Sequence, residues 1–147
     1  MTRLLVVHHT ASPAMDAMLQ DVLDGAGDEA IVGVDVVTRA ALAATAADVL
    51  AADGLILGTP ANMGYMAGGL KVFFDGCYYP CLRETPGLPY GLFVHGNNDV
   101  TGAVRSVEAL ATGLRWKPVV TVVGAVQAAH RERLRELGSI LAATIMG

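Results

Sequence analysis

Residues 52–79 read A-D-G-L-I-L-G-T-P-A-N-M-G-Y-M-A-G-G-L-K-V-F-F-D-G-C-Y-Y, and three textures follow one another within them. Gly54 to Leu57 is a short apolar run, as expected of a strand buried on both faces. Gly58 to Gly69 carries four glycines, Pro60 and Asn62, which predicts a wide irregular loop rather than a tight turn. From Leu70 the apolar residues recur at Phe73, Phe74 and Cys77, the spacing of one helix face. Strand, wide loop and helix in that order put the loop at the carboxyl end of a strand, where α/β sheets bind ligands. Connections of this kind usually take about 2–6 residues, so a loop of this length calls for a reason. Glycines let backbone approach a flat ligand closely, and Pro60 stiffens the path. A surface loop rich in turn residues is the alternative, and the other loops on the same edge decide between them.

The chain has 147 residues, a length that suits one domain, taken as residues 1–147, with one core. Hydrophobic residues make up 53% and charged residues only 16%, so a packed globule is expected rather than disorder. The formal net charge of −4, without a basic patch, argues against a nucleic-acid partner. No apolar run is long enough to span a membrane, and the one at the amino end is too short for a signal peptide, so the expected compartment is the cytoplasm. Cys77 and Cys81 flank Pro80, which argues against a continuous helix through both. Without partner histidines nearby they make no zinc site, and buried or half-buried free thiols are expected in place of a redox pair.

Along the chain, Arg3 to Val7 is a first strand. Ser12 and Pro13 then mark the start of a helix, as N-cap and first helical residue, with Met15, Met18, Leu19 and Val22 on its buried stripe and Gly25 and Gly27 at its end. Ile31 to Val37 is a second strand and Ala40 to Ala51 a second helix, with Leu42, Ala46, Val49 and Leu50 on one side. Tyr79 to Leu88 shows no period and is expected to be a loop. Tyr90 to Val94 is the fourth strand and His95 to Asp99 its loop. The next helix carries Val104, Val107, Leu110, Ala111 and Leu114. Val119 to Val123, with Val126 as its furthest reach, is the fifth strand. His130 to Ile145 is the last helix, with Leu134, Leu137, Leu141 and Ile145 inward and Arg131 to Arg135 as a solvated charged face.

Five apolar strands alternating with helices imply an α/β fold: a five-stranded parallel sheet covered on both faces, in the order 2-1-3-4-5. In that order the loops after strands one, three and four open around one switch point. The first, H-H-T-A-S-P-A-M, brings Thr10, Ala11 and Ser12 to a helix amino end at Ala14 and Met15. Unpaired amides and the positive end of the helix dipole favour a phosphate there without a lysine. Capping alone explains Ser12 but gives Thr10 no role. The second loop can edge a flat ring, and the third, H-G-N-N-D, offers amides and two asparagines to its polar atoms. Together they describe a mononucleotide with a flat heterocycle.

The segment A-D-G-L-I-L-G-T-P-A-N-M-G-Y-M-A-G-G-L-K-V-F-F-D resembles the pattern D-G-x-x-x-G-T-P-x-x-x-G-x-x-x-G-x-L-K-x-x-x-D of the flavodoxin-like superfamily, in its FMN-dependent reductase and quinone-oxidoreductase branch. Glycine, Pro60, Lys71 and Asp75 fall in step, and the order of elements matches over essentially the whole chain. The resemblance implies a flavodoxin-like three-layer sandwich and noncovalent FMN. Its ring would be cradled by Pro60, Ala61, Asn62, Met63, Gly64 and Tyr65, and by His95, Gly96, Asn97 and Asn98. It also implies NAD(P)H as reductant, a quinone-like or other flat small-molecule acceptor, and a homodimer or homotetramer. Phe74, Tyr78 and Tyr79 are candidates for the oligomer patch or for burial.

The first loop departs from the family's S/T-x-x-G-x-T. Pro13 stands where glycine is usual and removes a backbone donor, and Met15 stands where a hydroxyl would grip phosphate. Three functions therefore stay open: an FMN-dependent NAD(P)H oxidoreductase, a flavodoxin-type one-electron carrier, and a flavin-free binding module. Low net charge and the absence of an aromatic from H-G-N-N-D favour the first. Tyr65 is a candidate to stack on a ring, or a partly buried loop residue. His8, His9 and His95 all fall at strand carboxyl ends. No metal is expected there, since Asp99 is the one carboxylate nearby; the histidines frame the ligand edge or satisfy loop backbone. The chemistry would belong to the cofactor, with no catalytic side chain.

Overall fold

A computed structural model describes residues 2–125 and 127–147. In chain order the elements are β1 (Thr2–His8), α1 (Pro13–Ala26), β2 (Val34–Ala40), α2 (Ala46–Leu50), β3 (Gly54–Asn62) and β4 (Tyr65–Met66). They are followed by α3 (Gly68–Cys81), β5 (Pro89–His95), α4 (Thr101–Gly113), β6 (Lys117–Gly124) and α5 (Ala128–Ile145). Five strands pair in parallel in the order β2-β1-β3-β5-β6, and β4 pairs antiparallel with β3 beside that path. With the short β4 set aside, this is the expected 2-1-3-4-5 sheet.

Alternation along the central strands builds two apolar layers. Leu4 and Val6 of β1, Ile56 of β3 and Phe93 of β5 pack with Met15, Met18 and Val22 of α1 and Leu134, Leu137 and Leu141 of α5. Leu5, Val7, Leu55, Leu57, Leu92 and Val94 face the other way, against Leu70, Phe73 and Phe74 of α3 and Val107 and Ala111 of α4. The sheet residues in both sets are fully buried. At about 1.5–3 kcal/mol for each large apolar side chain removed from water, this two-sided burial dominates the stability of the fold.

Four local expectations change. Residues 58–69 are not one wide loop: β3 runs on to Asn62, and a hairpin turn returns the chain as β4. β2 begins at Val34, after a bend at Gly33, and reaches Ala40, because Val7 and His8 of β1 still pair with Arg39 and Ala40. The second helix is therefore short, and Leu42 and Leu50 are exposed rather than inward. Its start is set by Thr45 and Asp48, which bond each other's backbone amides as a capping box. α3 continues through Pro80 to Cys81. Pro80 and Gly76, four residues before it, both face solvent, so water can take the carbonyl that proline's missing amide leaves unbonded. The strand's reach to Val126 lies outside the described residues.

The charged face of α5 has a buried partner. Asp21 of α1, only 4% exposed, accepts from Arg131 Nε at 3.2 Å and lies 3.7 Å from an Arg135 guanidinium nitrogen. The two arginines are half-exposed, so the carboxylate bears most of the desolvation. Replacing Arg131 and Arg135 together with methionine would leave Asp21 buried without a counter-charge. That pair should lower stability by about 2–4 kcal/mol, with either single change costing well under half as much. Urea denaturation of the three variants measures it.

Cys77 and Cys81 are buried free thiols, with Cys77 1% exposed and Cys81 fully enclosed. Burial is the main cause that pushes the Cys77 thiol up to about 12, and the neighbouring Cys81 adds to it. The reactive thiolate is thus suppressed in the folded state. Neither cysteine should react with a thiol reagent at neutral pH until denaturant is added; rapid labelling of the native protein would contradict this. Because the folded thiol holds its proton more tightly than the unfolded one, the Cys77 contribution to stability is present below the ordinary thiol range and falls as pH rises above it.

Candidate functional site

The carboxyl ends of β1, β3, β5 and β6 meet on one edge of the sheet. His8 pairs with Gly58, Pro60 with His95, and His95 with Gly124. The ladders extend one step into the loops, through His9 N to Gly58 O at 3.0 Å and Gly96 N to Gly124 O at 3.2 Å. Residues 9–12, 60–66 and 95–100 thus start side by side.

The first loop spans only His9 to Ser12. Ser12 Oγ accepts from Met15 N at 3.1 Å, and Ser12 O accepts from Asp16 N at 3.1 Å, so Ser12 caps α1 as its position predicts. Thr10 has a structural role after all: its Oγ1 lies 2.7 Å from His8 Nδ1. The amides of Ala11, Ser12 and Ala14 have no protein acceptor among the described residues. They stand at the amino end of a 14-residue helix, where the dipole favours an anion. Met15 has its side chain in the core, so it offers this loop only its backbone. Asp16 is the acidic residue of the same turn. His8 is held below its usual range chiefly by burial and secondarily by His9, while Asp16 acts against both.

The second segment is a frame rather than a loop. Ala61 pairs with Met66 and Asn62 with Tyr65. Met63 and Gly64 at the turn have φ of 49° and 76°, the left-handed conformation that a two-residue hairpin of this hand requires. A side chain there is costly, and Met63 stands fully in solvent at the tip. Three contacts fix the hairpin. Ser106 Oγ accepts from Met66 N at 3.1 Å, buried Thr59 Oγ1 accepts from Ala67 N at 2.9 Å, and the Gly64 carbonyl rests against Gly102 of α4 so closely that no Cβ fits. Pro60 and Ala61 are half-buried, and Tyr65 is 43% exposed on the outer side.

The third segment turns quickly into α4. Asp99 Oδ1 accepts from Thr101 N at 2.9 Å; hydrogen bonding from the Thr101 side chain first, and from its backbone amide second, holds the Asp99 carboxyl below the usual range. A Cβ built on Gly96 would lie 3.5 Å from that of Ala61, so the second and third segments touch. Asn97 and Asn98 are exposed beside them.

His9 packs against Gly69 at the start of α3, 2.6 Å from where a Cβ would sit, with Leu42 behind it. His130 of α5 covers Gly124 at the end of β6, and its Nδ1 is buried without a partner among the described residues. Sequence spacing gives no signal for His130, which enters the edge only because α5 starts beside β6. Lys71 and Asp75, which fall in step with the family pattern, form an exposed i,i+4 ion pair on α3 at 2.6 Å. A cleft of about 300 Å³ between α3 and α4 is lined by Phe74, Asp75, Tyr78, Tyr79 and Leu110. Of the three aromatics, Phe74 is buried, Tyr78 half-buried and Tyr79 80% exposed.

Removing the Ser106 hydroxyl should loosen the frame, because Met66 N would be a buried donor without an acceptor. Ser106→Ala is expected to cost about 1–3 kcal/mol and to speed exchange of the Met66 amide, read by hydrogen exchange. An unchanged Met66 exchange rate would show that the hairpin is held elsewhere.

The model of the NADPH-dependent FMN reductase family matches residues 8–147. A flavodoxin from Aquifex aeolicus is 37% identical over 75 residues, covering 51% of this chain and 40% of that protein, so the chain spans less than half the length of this curated relative. Among solved structures, a WrbA-like flavodoxin from Agrobacterium tumefaciens superposes with a TM-score of 0.80 at 21% identity, covering 99% of this chain and 98% of that one. The two-electron reduced flavodoxin of Megasphaera elsdenii gives 0.79 at 18% identity, with 95% and 98% covered. An oxidoreductase from Corynebacterium diphtheriae gives 0.73 at 18% identity, with 99% and 97% covered. The structural likenesses establish a flavodoxin-like fold. The chain belongs to the NADPH-dependent FMN reductase family, whose cofactor is FMN and whose reductant is NADPH.

Proposed function

We propose that the protein is an FMN-dependent NAD(P)H oxidoreductase that delivers electrons to a flat, quinone-like acceptor. The observation that carries this is the juxtaposition of a helix amino end bearing unpartnered amides with a rigid hairpin and a small polar loop on one sheet edge. A phosphate and a flat ring fit such an edge. The amides of Ala11, Ser12 and Ala14 are open to an acceptor, and the hydroxyl of Ser12, whose oxygen accepts from Met15 N, still has its own hydrogen to donate. Pro13 has no amide to add, and Asp16 stands in the same turn, so the seat is thinner than a glycine-rich one.

When bound, FMN supplies the redox chemistry, taking electrons from the nicotinamide and passing them on. The chain's part is to bind and orient. Thr10, Ala11, Ser12, Ala14 and Met15 seat the phosphate, the last through its backbone. Residues Pro60, Ala61, Asn62, Met63, Gly64 and Tyr65 border the ring on one side, and His95, Gly96, Asn97 and Asn98 on the other. Because the hairpin is pinned to α4, the ring edge it presents is set before the ligand arrives. Asn97 and Asn98 are exposed and carry no aromatic lid, which leaves room for a second flat molecule.

The similarity to a flavodoxin supports a second reading, a one-electron carrier. With a net charge of −4, the chain has little field to steer docking beyond about 8–10 Å at cellular salt, which favours the enzyme. A cytoplasmic setting and a homodimer or homotetramer belong to the same proposal; exposed Tyr79 beside the α3/α4 cleft suits a contact between copies.

Thr10→Ala combined with Ser12→Ala should weaken FMN by about 1–3 kcal/mol, the range for lost hydrogen bonds to a charged group. Flavin fluorescence titration measures it, and unchanged affinity would remove the phosphate from this loop. Rapid mixing of the FMN-loaded protein with NADPH or NADH should bleach the flavin within seconds. A flavin that stays oxidised with both nucleotides leaves the carrier reading.

A further inference from the structure

Thr10 cannot serve a phosphate in every state of its neighbour. Its Oγ1 lies 2.7 Å from His8 Nδ1, and the hydroxyl has a single hydrogen. If Nδ1 carries no proton, Thr10 must donate to it and meets the phosphate with lone pairs only. If Nδ1 carries a proton, His8 donates to Thr10, and the hydroxyl hydrogen turns free for a phosphate oxygen. Doubly protonated His8 fulfils that condition and adds a positive charge within one residue of the loop. We propose that His8 is a positioning residue of the phosphate subsite: it acts through Thr10, and phosphate binding draws a proton onto its imidazole.

The surroundings of His8 suit this role. At its register β2 contributes Ala40 and β3 contributes Gly58, neither charged. The titratable groups that reach it are Asp16 on α1, which favours the proton, and His9, which opposes it. Burial, the largest influence, disfavours the charged ring in the free protein, and an arriving dianion would act in the opposite direction. The sign follows from linkage. A His8 whose proton affinity rises on binding makes the affinity for FMN grow as pH falls from its bound-state pKa towards its lower free-state pKa, and level off below that.

This rests on the phosphate seat proposed above. FMN dissociation constants are measured by fluorescence titration from about pH 7.5 to about pH 5.5, spanning the ordinary histidine range, for the wild type and for His8→Asn. Asparagine retains a short neutral donor but does not titrate. FMN's own phosphate takes up a proton near about pH 6, which affects both proteins alike and cancels in the ratio. The wild type should gain about three- to tenfold over the variant across that interval, since one linked proton changes affinity at most tenfold per pH unit. Parallel pH profiles overturn the role of His8 while leaving the seat intact. Should Thr10→Ala with Ser12→Ala leave FMN affinity unchanged, seat and inference fall together. A second readout needs no variant: the His8 ring proton, followed by NMR through a pH titration, should show a higher pKa with FMN bound than without, and an equal or lower one overturns the proposal.

Discussion

The structure depends on the burial of β1 and β3 between two helical layers. Leu4 and Val6 point one way and Leu5 and Val7 the other, all fully enclosed, and β3 repeats the arrangement with Leu55, Ile56 and Leu57. A strand apolar on both faces cannot lie at a wet surface, so β1 and β3 must be central and paired, with β2 on one flank and β5 on the other. Right-handed crossovers then carry the chain from β1 outward to β2 and back to β3, which opens the switch point between β1 and β3. His8, Gly58 and Pro60 stand at that opening because the ladder runs out there.

What the ladder does not determine, the hairpin after β3 does. Two hydroxyls hold the return strand and its exit: Ser106 accepts the amide of Met66 and Thr59 that of Ala67, and Gly102 lets the turn lie on α4. Neither hydroxyl is exposed, so losing either partner leaves a buried polar group unbonded, and the frame resists deformation for that reason. The strained Met63 at its tip is tolerated only because the rest of the hairpin is held on both sides.

These two layers of cause mark what sequence alone can say. Strand identity, helix faces and sheet order follow from apolar periodicity, which burial enforces residue by residue. The hairpin is hidden because Met63 stands where asparagine or glycine would announce a two-residue turn, and four nearby glycines read as looseness. The true start of α2 was present in Thr45-Ala46-Ala47-Asp48, but a run of alanines masks its cap. Asp21 carries no local sign of burial, since its counter-ions arrive from residues 131 and 135 across two packed helices. His130 and the bond between His8 and Thr10 are likewise visible only in the folded chain: spacing can turn residues i and i+2 to the same side, but it does not announce a 2.7 Å contact between them.

In the phosphate seat proposed for the first loop, a departure from the family pattern would be offset by neighbours. Pro13 removes one amide, and Ser12 Oγ occupies the amide of Met15, so two donors of the first helical turn are withdrawn from any ligand. The amides of Ala11, Ser12 and Ala14 remain without a protein acceptor among the described residues, together with the hydrogens of Ser12 and Thr10. A dianion seated by so few donors gains disproportionately from each additional one, because every phosphate oxygen left unpaired costs part of its hydration. In the proposed seat, Thr10 would donate its hydrogen to a phosphate only when His8 Nδ1 carries a proton. On this proposal, a histidine at the last position of β1 would matter more here than beside a glycine-rich loop, where backbone amides alone could satisfy the phosphate.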